Sequence, residues 1–339
     1  MRSWRIPAGC TSVDQLELVE VPAPVPARGE LLIRVRACSI NYRDQAIPRG
    51  LYIGGVVAVA GTPLSDGAGL VEAVGPDVTA FKPGDRVAGL FFQGWQNGPP
   101  SPDRGAALGA PPAAGMLADY VVLPETGVVN LAASLSFEEA ATLPCAGVTV
   151  WNALMMGMRP VRSGSTVLLI GAGGVSLLAL RIAKAAGARV IATSSSDAKL
   201  GRLRTLGADL TINYRTEPEW GAKAAELVGT GVDHVVEVGG LGTLAQSIKA
   251  VGFGGEIALI GVLSRQGAAD PHPLMAKGAT LRGIFVGSAA MARNLNSFVD
   301  GHGVKPVVDR VFEFSDAKAA YAYQSSGELF GKVVIANPV

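Results

Sequence analysis

The sequence predicts an α/β protein in two parts: a doubly wound parallel sheet and a β-rich domain. Three observations predict it. Between Val167 and Ile260, short apolar strands alternate with helices of about ten residues, a rhythm that calls for parallel strands joined by crossover helices. The first 125 residues instead carry short β-like runs broken by Gly and Pro. The length, 339 residues, suits roughly two domains.

The elements follow in order. Leu31–Val35, Gly69–Gly75 and Tyr120–Pro124 read as strands. Lys82-Pro83-Gly84-Asp85-Arg86-Val87 reads as a turn feeding a strand, and the Pro-, Gly- and Ala-rich stretch Gln93 to Gly115 as a long surface loop. Ser136, followed by Glu138 and Glu139, starts a helix. Strands are then expected at Val167–Ile170, Val190–Thr193, Leu210–Asn213, Val232–Val238 and Glu256–Ile260. Helices are expected at Ser176–Ala186, Asp197–Leu206 and Thr243–Val251, with a last helix Ser315–Ser325 and a closing strand Lys332–Ala336.

Composition excludes several classes. Charged residues are only 17% of the chain against 49% hydrophobic, which argues against disorder. Twenty-nine basic and 28 acidic residues leave a net charge of +1 with no basic block, so no nucleic-acid or anionic-membrane partner is expected. No apolar run is long enough to span a bilayer, and Met1-Arg2-Ser3-Trp4-Arg5 leads into no signal-like segment, which reads as a soluble, cytoplasmic protein. Three separated cysteines, Cys10, Cys38 and Cys145, make neither a disulfide framework nor a four-cysteine zinc lobe. Glycine, 44 residues, is close to twice its average share and points to many tight turns.

The strongest motif is Val167-Leu168-Leu169-Ile170-Gly171-Ala172-Gly173-Gly174-Val175-Ser176. It follows a strand and opens an apolar helix, as a Rossmann dinucleotide fingerprint does. Gly171 permits the turn, Gly173 lets backbone approach a pyrophosphate, and the helix start with Gly174 and Val175 offers free N–H groups to that anion. Ser176 stands where a third glycine serves close helix–strand packing. A carboxylate that bonds the ribose 2′-OH is expected about 20 residues on. The second strand ends instead in Ser194-Ser195-Ser196-Asp197-Ala198-Lys199. Hydroxyls and an ammonium suit a 2′-phosphate, hence NADP(H). The competing reading is that Ser196 caps the next helix, Lys199 is solvated, and Asp197 complicates the choice.

The chain resembles the medium-chain dehydrogenase/reductase superfamily, in its zinc-free, quinone-oxidoreductase-like branch. Ile40-Asn41-Tyr42-Arg43-Asp44, Gly67–Gly75, Lys82–Val87, Ala140–Trp151, the glycine motif, Leu206-Gly207-Ala208-Asp209 and Gly331–Ile335 carry the resemblance in the family's order. It implies a GroES-like catalytic domain from residues 1–125 with 289–339 and a Rossmann domain over 126–288. It also implies Asn41 near the nicotinamide ribose, Thr149 at the nicotinamide half, Tyr214 and Lys332 at cofactor phosphates, and Tyr42 and Tyr52 in the acceptor pocket. A homodimer through Glu256–Leu263 with Thr280–Val286 follows from the same resemblance.

Zinc-dependent relatives place a Cys and a His where this chain has Asn41 and Tyr42, and a His-Glu pair at Ser65-Asp66. Cys145 alone stands at a ligand position, and catalytic zinc needs three protein ligands. No zinc is therefore expected, and Cys145 reads as a small buried hydrophobe. Without a Lewis acid, the fitting chemistry is hydride delivery to a quinone or an α,β-unsaturated carbonyl, whose charge delocalises onto oxygen. The Tyr42 or Tyr52 hydroxyl can hydrogen-bond that oxygen; the plainer reading is two packing aromatics. A metal-free alcohol dehydrogenase and an NADPH-binding sensor with little turnover are the alternatives. His234 and His272 have no metal-ligand neighbours, His302 between glycines reads as an exposed turn residue, no G-x-S-x-G elbow occurs, and Trp95 either borders the pocket or anchors its loop.

Overall fold

The computed structural model describes residues 1–261, 263–264 and 266–338. The chain divides into two compact units, Met1–Val148 with Gly287–Val339 and Thr149–Val286.

The first unit opens with β1 (Arg2–Arg5) and β2 (Glu17–Glu20), an antiparallel pair. Next comes β3 (Glu30–Ile40), in which Leu31, Ile33, Val35 and Ala37 are fully buried while the residues between them are half-buried. That period of two is the signature of a strand with one face on the core. A short helix, α1 (Tyr42–Ala46), follows, then β4 (Asp66–Val74), β5 (Arg86–Gly89), β6 (Tyr120–Pro124), β7 (Val128–Asn130) and α2 (Phe137–Ala140). Ser136 caps α2 with a reciprocal bond to Glu139, as the sequence predicts. A single π-helical turn, Leu143–Gly147, closes this stretch.

The expected surface loop from Gln93 to Gly115 holds one 3-10 turn, Pro102–Arg104, and is only partly at the surface. Trp95, Ala107 and Leu108 are buried. Trp95 donates its indole N–H to Gly98 and packs on Phe92, so it anchors the loop.

The second unit begins with α3 (Val148–Met155, its first residue lying in the first unit) and runs β8 (Thr166–Ile170), α4 (Gly174–Ala185), β9 (Arg189–Ser194), α5 (Asp197–Thr205) and β10 (Leu210–Asn213). It continues with α6 (Trp220–Val228), β11 (Val232–Glu237), α7 (Leu241–Ala250), β12 (Val251–Leu259), α8 (His272–Lys277) and β13 (Thr280–Gly283). The six strands are parallel, in the order β10-β9-β8-β11-β12-β13. All of β8 is buried, as strands covered by helices on both faces must be. Helix α6, which follows Glu217-Pro218, was not expected from sequence; it buries Trp220 and Ala224. Of the expected dimer segments, Glu256–Leu263 includes Val262, which lies outside the described residues. Strand β12 is paired on both sides, so Thr280–Gly283 alone offers a free sheet edge here.

The chain then returns to the first unit with α9 (Ala289–His302), β14 (Val308–Glu313), α10 (Ala317–Gln324) and β15 (Lys332–Ala336). Its main sheet runs β14-β15-β3-β4-β5-β7, with β6 also on β3. Antiparallel β4 covers β3 from Leu31 to Ser39, while β6 and β15 share its other side. The boundary expected at 125/126 falls inside this unit. The reason is the pairing of β7 with β5, which keeps residues 126–148 with the first sheet. Among the described residues no helix is long and apolar enough to cross a membrane.

Candidate active site

The order of the second sheet reverses at β8 and β11: β9 and β10 lie to one side, β12 and β13 to the other. In such sheets the crevice beyond the carboxyl ends of the two central strands is where ligands bind. Two glycine turns flank it. After β8, Gly171 takes φ +74°, a conformation that favours glycine, and its N–H donates to Thr193 Oγ1 at 3.4 Å. Gly173 is the N-cap of α4, with no atom within 4 Å of where a Cβ would stand. The backbone is thus open to a close ligand at the positive end of a twelve-residue helix. Ser176 is buried and donates to the Ile170 carbonyl at 2.7 Å, tying helix to strand where a third glycine was expected.

After β11, the buried Glu237 organises the second turn. Its Oε1 accepts from the N–H groups of Gly239 and Gly240 at 2.7 and 2.9 Å and from Thr243 Oγ1 at 2.6 Å. Oε2 accepts from Ser247. Glu237 and Thr193 escaped the sequence reading. An acidic residue two positions before the Gly239-Gly240 pair, at the end of a strand, is the available signal.

At the end of β9, Ser194 is buried and its Oγ accepts from the Ser196 N–H at 3.3 Å. Ser196 accepts from the Lys199 N–H at 3.4 Å and caps α5, the competing reading of that residue. Asp197 is held by Asn213 at 2.8 Å. Ser195 and Lys199 are half-buried, and Tyr214 is exposed, its N–H on the Ser194 carbonyl. Thr149 is buried in the first turn of α3.

In the first unit, antiparallel pairing gathers residues from distant parts of the chain. Ser39 lies opposite Asp66 and Ile40 opposite Val333. The end of β3, the start of β4 and the start of β15 therefore meet at one end of the sheet. There the Lys332 ammonium, nearly buried, donates to the Ile40 carbonyl at 2.7 Å and to Asn41 Oδ1 at 2.6 Å. Asp66 accepts from Ser65 Oγ at 2.8 Å and from the Cys145 N–H at 3.2 Å. The Asn41 amide lies near enough to Asp66 to favour its charge, but its Nδ2 has no partner within hydrogen-bonding distance. Asp44 Oδ2 accepts from the Asn41 N–H at 2.7 Å.

Burial pushes Asp66 up and Asp44 up to about 6, against the pull of Lys332 on the first and Arg43 on the second. Burial pulls Lys332 down, with Asp66 opposing. Two cations, Arg43 and Lys332, thus face two carboxyls, Asp44 and Asp66. The expectation that Lys332 reaches a cofactor phosphate does not fit: its ammonium is held inside the unit by Ile40 and Asn41. Tyr42 is about half exposed, and Tyr52 is half-buried with its ring 5.0 Å from the Arg43 guanidinium. Cys145, expected as a buried hydrophobe, is partly exposed, and it is its backbone that serves Asp66.

Residues 27–133 match the alcohol dehydrogenase GroES-like domain model and residues 174–301 the zinc-binding dehydrogenase model. A zinc-type alcohol dehydrogenase-like protein of Schizosaccharomyces pombe is 43% identical over 332 residues, 95% of either chain. A solved structure, a putative alcohol dehydrogenase from Sinorhizobium meliloti 1021, superposes with TM-score 0.90 at 40% identity, covering 99% of this chain and all of that one. A quinone oxidoreductase of Mus musculus is 29% identical over 90% of this chain and 87% of its own length. The chain belongs to the medium-chain dehydrogenase/reductase superfamily.

It is an oxidoreductase of that superfamily's zinc-type alcohol dehydrogenase and quinone oxidoreductase kin, with GroES-like and Rossmann-type domains. The superfamily's catalytic zinc does not fit its donor set. Among the described residues no three His, Cys, Asp or Glu side chains are grouped as a metal requires. The Lys332 and Arg43 charges already balance Asp66 and Asp44, so a divalent cation would meet repulsion instead of free carboxylates.

Proposed function

We propose that this chain is a cytoplasmic, zinc-independent, NADPH-dependent reductase that transfers hydride to a quinone or an α,β-unsaturated carbonyl. The open backbone at Gly171 and Gly173, at the reversal point of the second sheet, carries the reading. Gly171, Gly173, Gly174 and Val175 would hold the pyrophosphate, Thr149 the nicotinamide half, and Ser194, Ser195, Lys199 and Tyr214 the 2′-phosphate side, while Ser196 serves as the cap of α5. The bound dinucleotide supplies the hydride. The protein's part is to exclude water and offer donors to the acceptor oxygen, with Asn41 and the hydroxyls of Tyr42 and Tyr52 as candidates.

A donor set unsuited to zinc supports the choice of activated carbonyls over plain alcohols, since alkoxide stabilisation is what the metal provides. Similarity to a mouse quinone oxidoreductase supports the same choice. We infer a homodimer through the free edge of β13, where Leu281 and Phe285 are partly exposed.

The test is the loss of NADPH absorbance with a simple quinone, run beside NADH and with a chelator. Chelator-resistant turnover favouring NADPH is the expected result. Turnover abolished by the chelator, or tight NADPH binding without turnover on any quinone or enone, would overturn it. Light scattering should give twice the monomer mass.

A further inference from the structure

Arg43 is charged, buried and only partly bonded. It sits in α1 with its side chain 8% exposed. Nη1 donates to the Leu108 carbonyl at 2.7 Å and approaches Asp44 Oδ1 at 3.4 Å. Nε and Nη2 are buried with no partner within hydrogen-bonding distance, although the Tyr52 hydroxyl lies near enough to favour the charge. The rings of Tyr52 and Phe91 lie 5.0 and 4.8 Å from the guanidinium. Burial opposes the charge, but Asp44 and the Tyr52 phenol outweigh it, so the group stays protonated at any working pH.

Two buried donors left unmade cost about 1–3 kcal/mol each. An oxygen ligand would recover that cost. Lys332 cannot offer the same service, because its ammonium already holds Ile40 and Asn41. The two aromatic rings add a preference for something flat and conjugated lying against the guanidinium.

We propose that Arg43 binds the oxygen of the acceptor through Nε and Nη2 and stabilises the negative charge that oxygen gains on reduction. This rests on the reductase reading and adds to it the residue that receives the acceptor's oxygen. The acceptor takes hydride from the reduced dinucleotide, at a quinone oxygen or ring carbon or at the β-carbon of an enone, and the π electron pair moves onto the oxygen facing Arg43. A proton from water neutralises the resulting enolate or hydroquinone anion, and the dinucleotide leaves oxidised. Arg43 keeps its proton throughout and acts as a fixed charged donor.

Access is built into the cover. Tyr52 lies between Gly50, at φ +66°, and Gly54 and Gly55, at φ +101° and +74°. No atom lies within 4 Å of a Cβ placed at Gly54 or Gly55. Leu51 and Ile53, on either side of the tyrosine, are 58% and 82% exposed. With Tyr52 itself packed on the core and its flanks open, the acceptor reaches Nε and Nη2 beside the ring, which stays in place.

The probe is 4-nitrophenol, whose anion resembles the reduced acceptor and whose ionisation is read by absorbance. It is titrated into the protein saturated with NADP⁺, while dinucleotide affinity is followed separately by fluorescence. In the wild type, bound nitrophenol should ionise about one pH unit or more below the free compound. Arg43→Met should abolish that shift and weaken phenolate binding at least about tenfold, with dinucleotide affinity within about twofold. Arg43→Lys keeps the charge without the planar fork, and should retain part of the shift with several-fold weaker binding. If Arg43→Met does not fold, the lysine variant decides, and wild-type phenolate affinity in it overturns the proposal. No ionisation shift in a wild type that binds dinucleotide also overturns it. Failure to bind any dinucleotide overturns the reductase reading instead, and the nitrophenol shift then stands or falls alone.

Discussion

Lys332 Nζ donates to Asn41 Oδ1 at 2.6 Å, joining the first residue of the last strand to the residue that follows β3. With Asp66 beside it, this ammonium is the counter-charge on which the end of the first sheet depends. Replacing it by Lys332→Met leaves the Asp66 carboxylate buried without a cation. That should cost about 3–5 kcal/mol in urea unfolding. A loss below about 1 kcal/mol, within the range of ordinary surface changes, would show that Asp66 does not need the charge.

Asp44 gives the protein a pH-dependent stability of definite sign. Its folded value is near 6 against an ordinary 3.8. Between roughly pH 4 and 6 the unfolded chain releases this proton while the folded one keeps it. Stability therefore falls as pH rises through that window and is flat above it, by about 3 kcal/mol in all. Asp66, also raised, adds to the slope. Asp44→Asn should show a visibly shallower decline between pH 4 and 6, measured by thermal unfolding. An unchanged slope would mean that Asp44 ionises normally.

Gly173→Ala separates ligand approach from folding. Gly173 has ordinary backbone angles and open space around a Cβ. The variant should stay within about 1 kcal/mol of the parent yet bind dinucleotide at least about tenfold more weakly, because the methyl occupies the pyrophosphate's approach. Calorimetry and fluorescence titration read the two effects. Unweakened binding would move the dinucleotide away from this turn.

The serine cluster divides in the same way. Ser196→Ala removes a helix cap and should cost about 1 kcal/mol of stability without altering the NADPH-to-NADH ratio. Ser195→Asp should turn the preference toward NADH, since a carboxylate repels a 2′-phosphate and bonds a 2′-hydroxyl. The ratio of kcat/KM values for the two cofactors is the readout, and a ratio unmoved in Ser195→Asp would exclude this strand end from cofactor choice.

Glu237→Ala strands four donors: the N–H groups of Gly239 and Gly240 and the hydroxyls of Thr243 and Ser247. A stability loss of about 2–4 kcal/mol is expected, together with weaker dinucleotide binding as the turn relaxes. Glu237→Gln, which keeps the acceptor oxygen, should recover part of both.

What was legible in the sequence was local. The alternation of strands and helices in the second unit, the turn at Gly171 and the Ser136 cap depend on residues a few positions apart, and each lies where the sequence places it. Helix α6 is not legible in the sequence because nothing before Trp220 marks a start beyond Glu217-Pro218, and its packing, not its cap, keeps it helical. The sequence leaves Ser196 as either cofactor contact or cap; only the bond from Lys199 N–H shows the cap in place.

The two-part α/β architecture and the backbone opening at Gly171 and Gly173 follow from local sequence, because hydrophobic period and glycine act through the chain's own nearest turns. Tertiary structure alone decided the charge cluster of the first unit. Asn41, Asp66, Cys145 and Lys332 come from four segments, and antiparallel register sets Ser39 against Asp66 and Ile40 against Val333. Whether a lysine binds a phosphate or neutralises a buried carboxylate is fixed by which groups share its low-dielectric surroundings, and that is a property of strand pairing across nearly 300 residues, not of the residues beside it.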